Sequence, residues 1–312
     1  MEIVFQIFLL IVGFAMLIKG ADWFVDGASG IADKLGIPQI VIGLTIVAMG
    51  TSAPEAAISI SAAVKGSADI AVGNVLGSNI LNVLLILGIT AVITPIAVQK
   101  STIKYEIPFV ILISILFGIL GLTDNFIGRI DGIILLALFI AYLAYLFFMA
   151  KKGKHESEQE KPKESTLKLI IFALIGVALI IFGSNITVDA ATSLAKIFGM
   201  SERLIGLTIV AFGTSLPELV TSVTAGIKKK ADIAVGNIVG SNIFNILFVI
   251  GISSLITPVA YQSNFLIDSI VCVATSALLL VCVLNKSKKL KRWGGIIMLA
   301  AYAGYFVYLL CV

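Results

Sequence analysis

The chain alternates long apolar runs with short polar segments. A run of about 20 apolar residues is long enough for a helix to cross a bilayer. The pattern therefore predicts an all-α membrane protein with ten transmembrane helices, at residues 3–32, 39–65, 69–93, 104–121, 128–150, 166–195, 203–228, 232–256, 265–285 and 292–311. The first and sixth helices differ from the rest because their second halves carry acids such as Asp26 and Asp189. Those halves should face protein or the membrane interface.

The sequence is duplicated at a fixed spacing. Residues 42–82 and 205–245 share one pattern, IGLTIVAMGTSAPE then AVGNVLGSNILN in the first copy and IGLTIVAFGTSLPE then AVGNIVGSNIFN in the second. A shift of 163 positions superimposes them without a gap. We therefore divide the chain into a first five-helix repeat at 1–150, a charged linker at 151–165 and a second five-helix repeat at 166–312.

Composition supports a membrane location. Hydrophobic residues make up 59% of the chain and charged residues 13%, with a mean hydropathy of +1.10. Soluble domains carry roughly 25% charged residues, so a soluble fold is excluded. The lysines lie in short loops between apolar runs, which indicates the lipid bilayer as partner and argues against nucleic-acid binding.

The distribution of Lys and Arg predicts the topology. With the N-terminus outside, the cytoplasmic loops hold sixteen Lys and Arg residues and the external loops only four. Positive residues favour the cytoplasmic side, so both termini should lie outside the cell membrane and the 151–165 linker in the cytoplasm. Since five is an odd number, the second repeat must enter from the opposite face. The sequence thus predicts two inverted repeats, as in alternating-access transporters.

Two acids lie near the middle of predicted helices. Glu55 and Glu218 fall within helices two and seven. An acid at midplane costs roughly 2.5–3.5 kcal/mol even on lenient insertion scales, so it should face the protein interior and find a partner. No Lys or Arg lies at matching depth, which favours a cation from solution as the counter-charge. The alternative is that both glutamates are protonated and only hold helices together.

A proline precedes each glutamate. Pro54 and Pro217 lack an N–H and so loosen the preceding helical turn, which frees backbone oxygens near 48–51 and 211–214. Irregular backbone at this depth survives only within protein or along a wet cavity. The same turns contain four hydroxyl side chains, those of Thr51, Ser52, Thr214 and Ser215. Carboxylate, carbonyl and hydroxyl oxygens suit hard cations such as Ca²⁺ or Na⁺.

Helices three and eight supply a second polar wall. Residues at i, i+4 and i+8 share one helix face, and here they form two stripes: Asn74, Ser78 and Asn82, and Asn237, Ser241 and Asn245. Asn79 and Asn242 lie about 100° around the helix from the serines. We expect these two to support the site or to connect helices.

These motifs resemble the two α-repeats of the sodium/calcium exchangers, in the calcium:cation antiporter superfamily. GTSAPE with GNVLGSNILN, and GTSLPE with GNIVGSNIFN, carry the resemblance, which covers essentially the whole chain. The resemblance implies ten helices, a 5+5 inverted repeat and four clustered cation sites between helices two, three, seven and eight. It also implies that the first and sixth helices slide as a pair over the rest. Potassium-dependent relatives have an aspartate near Asn82 and Asn245, so K⁺ cotransport is not expected.

The resemblance also assigns ligands by motif position. Ca²⁺ would be held by Glu55, Glu218, Thr51 and Thr214. Na⁺ would use the same glutamates with Ser52, Ser215, Ser78, Ser241 and the carbonyls of Ala48 and Ala211, while Asn82 and Asn245 line the site. We therefore expect a Na⁺/Ca²⁺ antiporter, electrogenic and near three Na⁺ per Ca²⁺, because two carboxylates balance one Ca²⁺ or two Na⁺.

Other functions remain as alternatives at this point. A Ca²⁺/H⁺ antiporter could use the same two glutamates as proton carriers. A cation channel also places acids and carbonyls at midplane, but it does not require an inverted duplication. The sequence has no metalloprotease motif and no serine with a histidine partner, so we expect a secondary transporter and not an enzyme. No cofactor and no obligatory protein partner are expected.

Overall fold

A computed structural model describes residues 2–153, 164–200, 209, 211–262 and 265–311. Most of the predicted charged linker, and the first part of the predicted helix at 203–228, lie outside these residues. The helices are α1 (Glu2–Leu35), α2 (Gln39–Thr51), α3 (Ala53–Val64), α4 (Ile70–Ile93), α5 (Thr102–Asp124), α6 (Arg129–Lys152), α7 (Thr166–Ile197), α8 (Ala211–Gly213), α9 (Leu216–Ile227), α10 (Ala231–Ile256), α11 (Phe265–Val283) and α12 (Arg292–Cys311).

The described part of the chain is a multi-pass membrane fold. Eight of its helices are long and apolar enough to cross a bilayer, and α2 with α3 forms a ninth candidate that is bent by 52°. The predicted helix at 203–228 is represented by the short helix α8 and by α9, an apolar helix of 12 residues. Most predicted helix ends agree with the structure to within three residues.

The long helices α1 and α7 pack closely and run antiparallel. A Cβ atom on Gly13 would lie 3.0 Å from the Gly183 carbonyl oxygen, and one on Gly20 would lie 2.8 Å from that of Gly176. As the residue number of the contact increases along α1, that of its partner on α7 decreases, so the two helices run antiparallel. Small residues allow such close approach of helices in a membrane. These are the first and sixth predicted helices, equivalent under the 163-residue shift.

Two short antiparallel ribbons connect the halves, and the sequence did not predict them. Strand β1 (Ile96–Ala97) pairs with β4 (Lys289–Leu290), and β2 (Phe126–Ile127) pairs with β3 (Val259–Ala260). Under the 163-residue shift β1 is equivalent to β3, and β2 to β4. Each ribbon therefore contains one strand from each half of the chain.

The motif helices occupy the centre of the fold. The hydrophobic window of α10 is 94% buried and that of α4 is 72% buried, against 17% for α1 and 11% for α12. Local π-helical turns interrupt α2 at Gly43–Val47, α4 at Asn82–Leu87 and α10 at Asn245–Val249. The sequence pattern predicted continuous α-helix there. Such π-turns frequently occur at functional sites, and two of these begin at the predicted site residues Asn82 and Asn245.

Candidate cation-binding site

The helix breaks place both glutamates at the start of a helix. The chain leaves the helical conformation at Ser52, and Pro54 and Glu55 fall in the first turn of α3. Ser215, Pro217 and Glu218 repeat this arrangement at the start of α9. Proline is favoured in a first helical turn because its missing N–H is not needed there. The positive end of each helix dipole favours an acid in the same turn.

Both glutamates are buried in protein. Glu55 and Glu218 are each only 1% exposed, so neither side chain faces lipid. Among the described residues, no Lys or Arg forms an ion pair with either carboxylate. The built-in positive partner that a buried acid normally requires is therefore absent from the described part of the fold.

Serines from one half bind the glutamate of the other half. The Ser52 hydroxyl donates to Glu218 Oε1 at 2.7 Å, and the Ser215 hydroxyl donates to Glu55 Oε1 at 3.2 Å. These two hydrogen bonds are equivalent under the 163-residue shift. The carboxylates consequently belong to one shared site between the halves.

The first asparagine of each stripe holds the helix that carries the glutamate. Asn74 Nδ2 donates to the Ser59 hydroxyl at 2.9 Å and to the Glu55 backbone oxygen at 3.2 Å. Asn237 makes the equivalent bonds to the Ser222 hydroxyl at 3.0 Å and to the Glu218 backbone oxygen at 3.4 Å. Our sequence reasoning missed both serines, although each lies four residues after its glutamate and thus on the same helix face.

Asn79 and Asn242 connect α4 to α10. Each side-chain amide donates to the backbone oxygen of the other residue, at 3.2 and 3.1 Å. The side-chain oxygen of Asn242 accepts from Asn82 Nδ2 at 3.0 Å, and that of Asn79 accepts from Asn245 Nδ2 at 3.1 Å. These bonds fix the amide groups of Asn82 and Asn245 by their nitrogen atoms, which leaves their oxygens available.

Four buried side-chain oxygens of the site have no hydrogen-bond donor. They are Glu55 Oε2, Glu218 Oε2, Asn82 Oδ1 and Asn245 Oδ1. Buried polar atoms are nearly always paired, so unpaired oxygens on both glutamates and on both stripe asparagines need an explanation. All four can only accept when the carboxylates are ionised, and carboxylate and amide oxygens are the ligands that Ca²⁺ prefers.

The remaining predicted site residues lie on these helices or at the breaks between them. Thr51 Oγ1 donates to Asn237 Oδ1 at 2.9 Å, and the Ser241 hydroxyl donates to the Ala48 carbonyl at 3.4 Å. Ser78 is buried and Thr214 is half-buried. Ala211 begins α8, and its side chain lies outside the described set. The roles of these residues as ion ligands stay predictions.

Paired buried acids, breaks in apolar helices and an internal duplication are typical of ion-transporting membrane proteins. A family model described as "Sodium/calcium exchanger protein" matches residues 5–148 and again residues 168–311. The chain belongs to this family. The two matched ranges are themselves offset by 163 residues, the spacing of the motifs.

Relatives match over nearly the full length. The chain is 45% identical to the "Putative antiporter CaxA" of Alkalimonas amylolytica, with 95% of this chain and 96% of the relative covered. It is 31% identical to the "Sodium/calcium exchanger MaX1" of Methanosarcina acetivorans, covering 96% and 97%. A solved structure of the sodium-calcium exchanger NCX_Mj superimposes with a TM-score of 0.86 at 34% identity, covering 98% of this chain and 99% of that one.

Proposed function

We propose that this protein is a secondary antiporter that exchanges Na⁺ for Ca²⁺ across the cell membrane by alternating access. The observation that carries the proposal is the set of four unpaired buried oxygens, on two carboxylates and two amides that repeat at the spacing of the duplication. Two relatives are themselves named sodium/calcium or sodium-calcium exchangers, MaX1 and NCX_Mj. Both ions are hard cations that take oxygen ligands.

The ligand assignment follows the residues that meet at the helix breaks. Ca²⁺ is held by Glu55 and Glu218 with Thr51 and Thr214. Na⁺ uses the glutamates together with the remaining hydroxyls and carbonyls, those of Ser52, Ser78, Ser215, Ser241, Ala48 and Ala211, while Asn82 and Asn245 line the site. Because the two ions share both carboxylates, they cannot occupy the site together.

The proposed architecture is ten helices in two inverted repeats. The antiparallel packing of α1 on α7 supports it, because these helices are equivalent in the duplication. The β1–β4 ribbon supports it too, because α4 precedes β1 and α11 precedes β4. The two strands can meet only if the segment between them crosses the membrane an even number of times. Helices α5, α6, α7, α10 and α11 give five crossings, so one further crossing, assigned to the predicted helix at 203–228, completes the count.

Contacts between segments support the prediction that their loops share one face of the membrane. Gln99 Nε2 donates to Asp232 Oδ2 at 2.6 Å, and Lys34 donates to the Glu164 backbone oxygen. All four residues lie in or beside loops for which the Lys and Arg distribution predicts a cytoplasmic location. Placing this face in the cytoplasm leaves both termini outside and the 151–165 linker inside.

The charge of the site explains why exchange is obligatory. Two carboxylates without a described positive partner give an empty site of −2, which should not cross a dry gate. One Ca²⁺ neutralises it, and three Na⁺ leave +1. We infer a stoichiometry near three Na⁺ per Ca²⁺, so that each cycle moves one net positive charge.

Uptake of radioactive Ca²⁺ into proteoliposomes tests this function. An outward Na⁺ gradient should drive uptake, and neither a pH gradient nor the Ca²⁺ gradient alone should do so. Uptake driven only by the pH gradient would instead establish Ca²⁺/H⁺ exchange, since the two carboxylates can also carry protons. Uptake without any counter-ion gradient would indicate a channel.

Single variants assign the flux to the shared site. Glu55→Gln and Glu218→Gln remove a charge and keep the shape, and removing one partner of a buried ionic interaction costs about 3–5 kcal/mol. Exchange should therefore fall by about a hundredfold or more. Glu106→Gln is the matched control, because Glu106 is also 1% exposed but bonds Tyr145 away from the site. Full exchange in either site variant would refute the assignment.

A further inference from the structure

One face of the molecule carries a cluster of ion pairs between α1 and the loop after α9. Lys228 Nζ donates to Asp26 Oδ1 at 2.7 Å and also pairs with the Asp22 carboxylate. Lys230 Nζ lies 3.8 Å from Asp33 Oδ2 on the same face. Partial burial acts to lower the pKa of Lys228, but its hydrogen bonds with Asp22 and Asp26 outweigh this effect and raise that pKa above its ordinary value. Lys228 is therefore charged.

The duplication provides equivalent positions for each of these residues. The 163-residue shift places Lys228 on Lys65, Asp26 on Asp189 and Asp22 on Asn185. In the structure these equivalents are apart: Lys65 and Asp189 are both exposed, and neither takes part in an ion pair among the described residues. Lys228 is thus paired with its acids, whereas the equivalent residues Lys65 and Asp189 are not paired with each other.

The helix packing beneath these residues shows the same asymmetry. On the paired side α1 packs along α9, and Thr221 and Ile233 are each 0% exposed. Their equivalents Ile58 and Ile70 are 41% and 51% exposed. They line an open crevice of about 430 Å³ together with Ser61 and Lys65. Within the described residues, α7 does not pack along α3 in the corresponding way.

The two surfaces lie at opposite faces of the membrane domain. Gln99 follows the end of α4 and bonds Asp232, which places Lys228 at that end of α4. Lys65 precedes the start of α4. Since α4 spans the domain, the ion pairs and the crevice are separated by its full length.

We propose that Lys228 with Asp22 and Asp26 is an ionic latch that holds the α1–α7 pair in the observed conformation, and that Lys65 with Asp189 is its counterpart in the opposite conformation. This inference rests on the alternating access proposed above. When the helix pair shifts, α7 covers the crevice, as α1 now covers α9, and Lys65 meets Asp189.

The two latches are unequal in strength. The first has two acids on one lysine, whereas Asn185 replaces one of them in the second. Lys230 and Asp33 add another pair, but their equivalents, Ser67 and Lys196, cannot form an ion pair with each other. The chain therefore favours the conformation in which the Lys228 latch is closed.

Modification of single cysteines by a water-soluble maleimide measures this equilibrium. Ser61→Cys in the crevice and its equivalent Thr224→Cys in α9 are introduced separately, after replacement of Cys272, Cys282 and Cys311, in protein embedded in lipid nanodiscs. Thr224 is half-buried and Ser61 exposed, so Thr224→Cys should react slowly and Ser61→Cys rapidly. The slow rate of Thr224→Cys is proportional to the population of the minor conformation. A change in the equilibrium between the two conformations therefore changes this rate by the same factor.

Latch variants should shift the slow rate in opposite directions. Lys228→Gln should raise the Thr224→Cys rate about three- to tenfold, since it removes two partly exposed ion pairs and each such pair contributes modestly. Lys65→Gln should lower it. Lys229→Gln is the matched control: it removes the same charge from the same loop, and Lys229 takes part in no ion pair that the structure describes. It should leave the rate unchanged.

Reversal of the charges supplies a second variant that does not depend on how Lys228→Gln folds. Asp26→Lys with Lys228→Asp should restore a slow rate that Lys228→Asp alone has raised. An equal effect of Lys228→Gln and Lys229→Gln, or no restoration by the reversed pair, would overturn the latch. The readout requires no transport, so a failed latch is distinguishable from a failed assignment of the transported ions.

Discussion

The charge of the loaded site predicts which half of the cycle responds to voltage. Glu55 and Glu218 have no basic partner in the described structure, so the proposed assignment makes a Ca²⁺-loaded site neutral and gives a site with three Na⁺ a charge of +1. Moving one charge through 100 mV changes the free energy by about 2.3 kcal/mol. This corresponds to a limit of about fortyfold in the equilibrium between the two conformations. Na⁺/Na⁺ exchange should therefore depend on voltage, and Ca²⁺/Ca²⁺ exchange should not.

Asn82→Asp is the perturbation that tests this reasoning. Asn82 Oδ1 is an unpaired oxygen in a residue that is 1% exposed, and aspartate has nearly the same shape. Once ionised, the introduced carboxylate makes the empty site −3, so the Ca²⁺ form becomes −1 and the three-Na⁺ form neutral. The voltage dependence should then move from Na⁺/Na⁺ exchange to Ca²⁺/Ca²⁺ exchange.

The assay is isotope exchange in proteoliposomes clamped by K⁺ gradients with valinomycin. With one ion at equal concentrations on both sides, the assay measures Na⁺/Na⁺ exchange or Ca²⁺/Ca²⁺ exchange separately. Measurements at several alkaline pH values keep the carboxylate introduced by Asn82→Asp ionised. Asn74→Asp serves as the control, because the Asn74 amide donates to Ser59 and to the Glu55 backbone. This substitution should weaken the contact between α4 and α3, and it should not transfer the voltage dependence to Ca²⁺/Ca²⁺ exchange. Voltage-dependent Ca²⁺/Ca²⁺ exchange in the unmodified protein would refute the charge count.

Three further outcomes follow from the packing and the site. Asn242→Ala removes two side-chain hydrogen bonds between α4 and α10. Each such bond contributes about 0.6 kcal/mol in a membrane, so the variant should lower the thermal midpoint of unfolding in detergent by a few degrees. An unchanged midpoint would contradict the connecting role of Asn242. Gly20→Val places a Cβ 2.8 Å from a carbonyl of α7 and should abolish stable folding on a size-exclusion column, whereas Gly304→Val, with no atom within 4 Å of its Cβ, should behave as the parent does. Ca²⁺ at about 100 times its dissociation constant should stabilise the parent protein against unfolding by about 2.7 kcal/mol. Removal of Ca²⁺ by a chelator should reverse this stabilisation in the parent and should have no effect on the stability of Glu218→Gln.

The apolar pattern predicted the helices well because a bilayer imposes a minimum length on any helix that crosses it. Glu55 and Glu218 could be selected for a related reason, since few buried acids are tolerated in a membrane and these two repeat at one spacing. The duplication also predicted that the halves would be related, and the bonds from Ser52 and Ser215 follow that relationship.

The π-turns and the ribbons could not be predicted in the same way. A π-turn at Asn82 depends on one additional residue in the helical turn, and its apolar neighbours give no signal for it. The ribbon partners Ile96 and Leu290 are far apart in sequence, and two-residue strands are too short to show a period. The amide orientation of Asn245, set by a bond from its Nδ2 to Asn79, depends on helix packing that the residue types alone do not encode.

The crossed bonds between Ser52 and Glu218, and between Ser215 and Glu55, have a consequence for the origin of the chain. Neither half contains a finished site, because each supplies the acid for one bond and the hydroxyl for the other. A single half could have formed the site only as a pair of identical subunits, and the proposed inverted architecture requires those two subunits to insert in opposite orientations. A fused chain always supplies both halves together, and equivalent positions such as Asp22 and Asn185 are free to differ between the two copies.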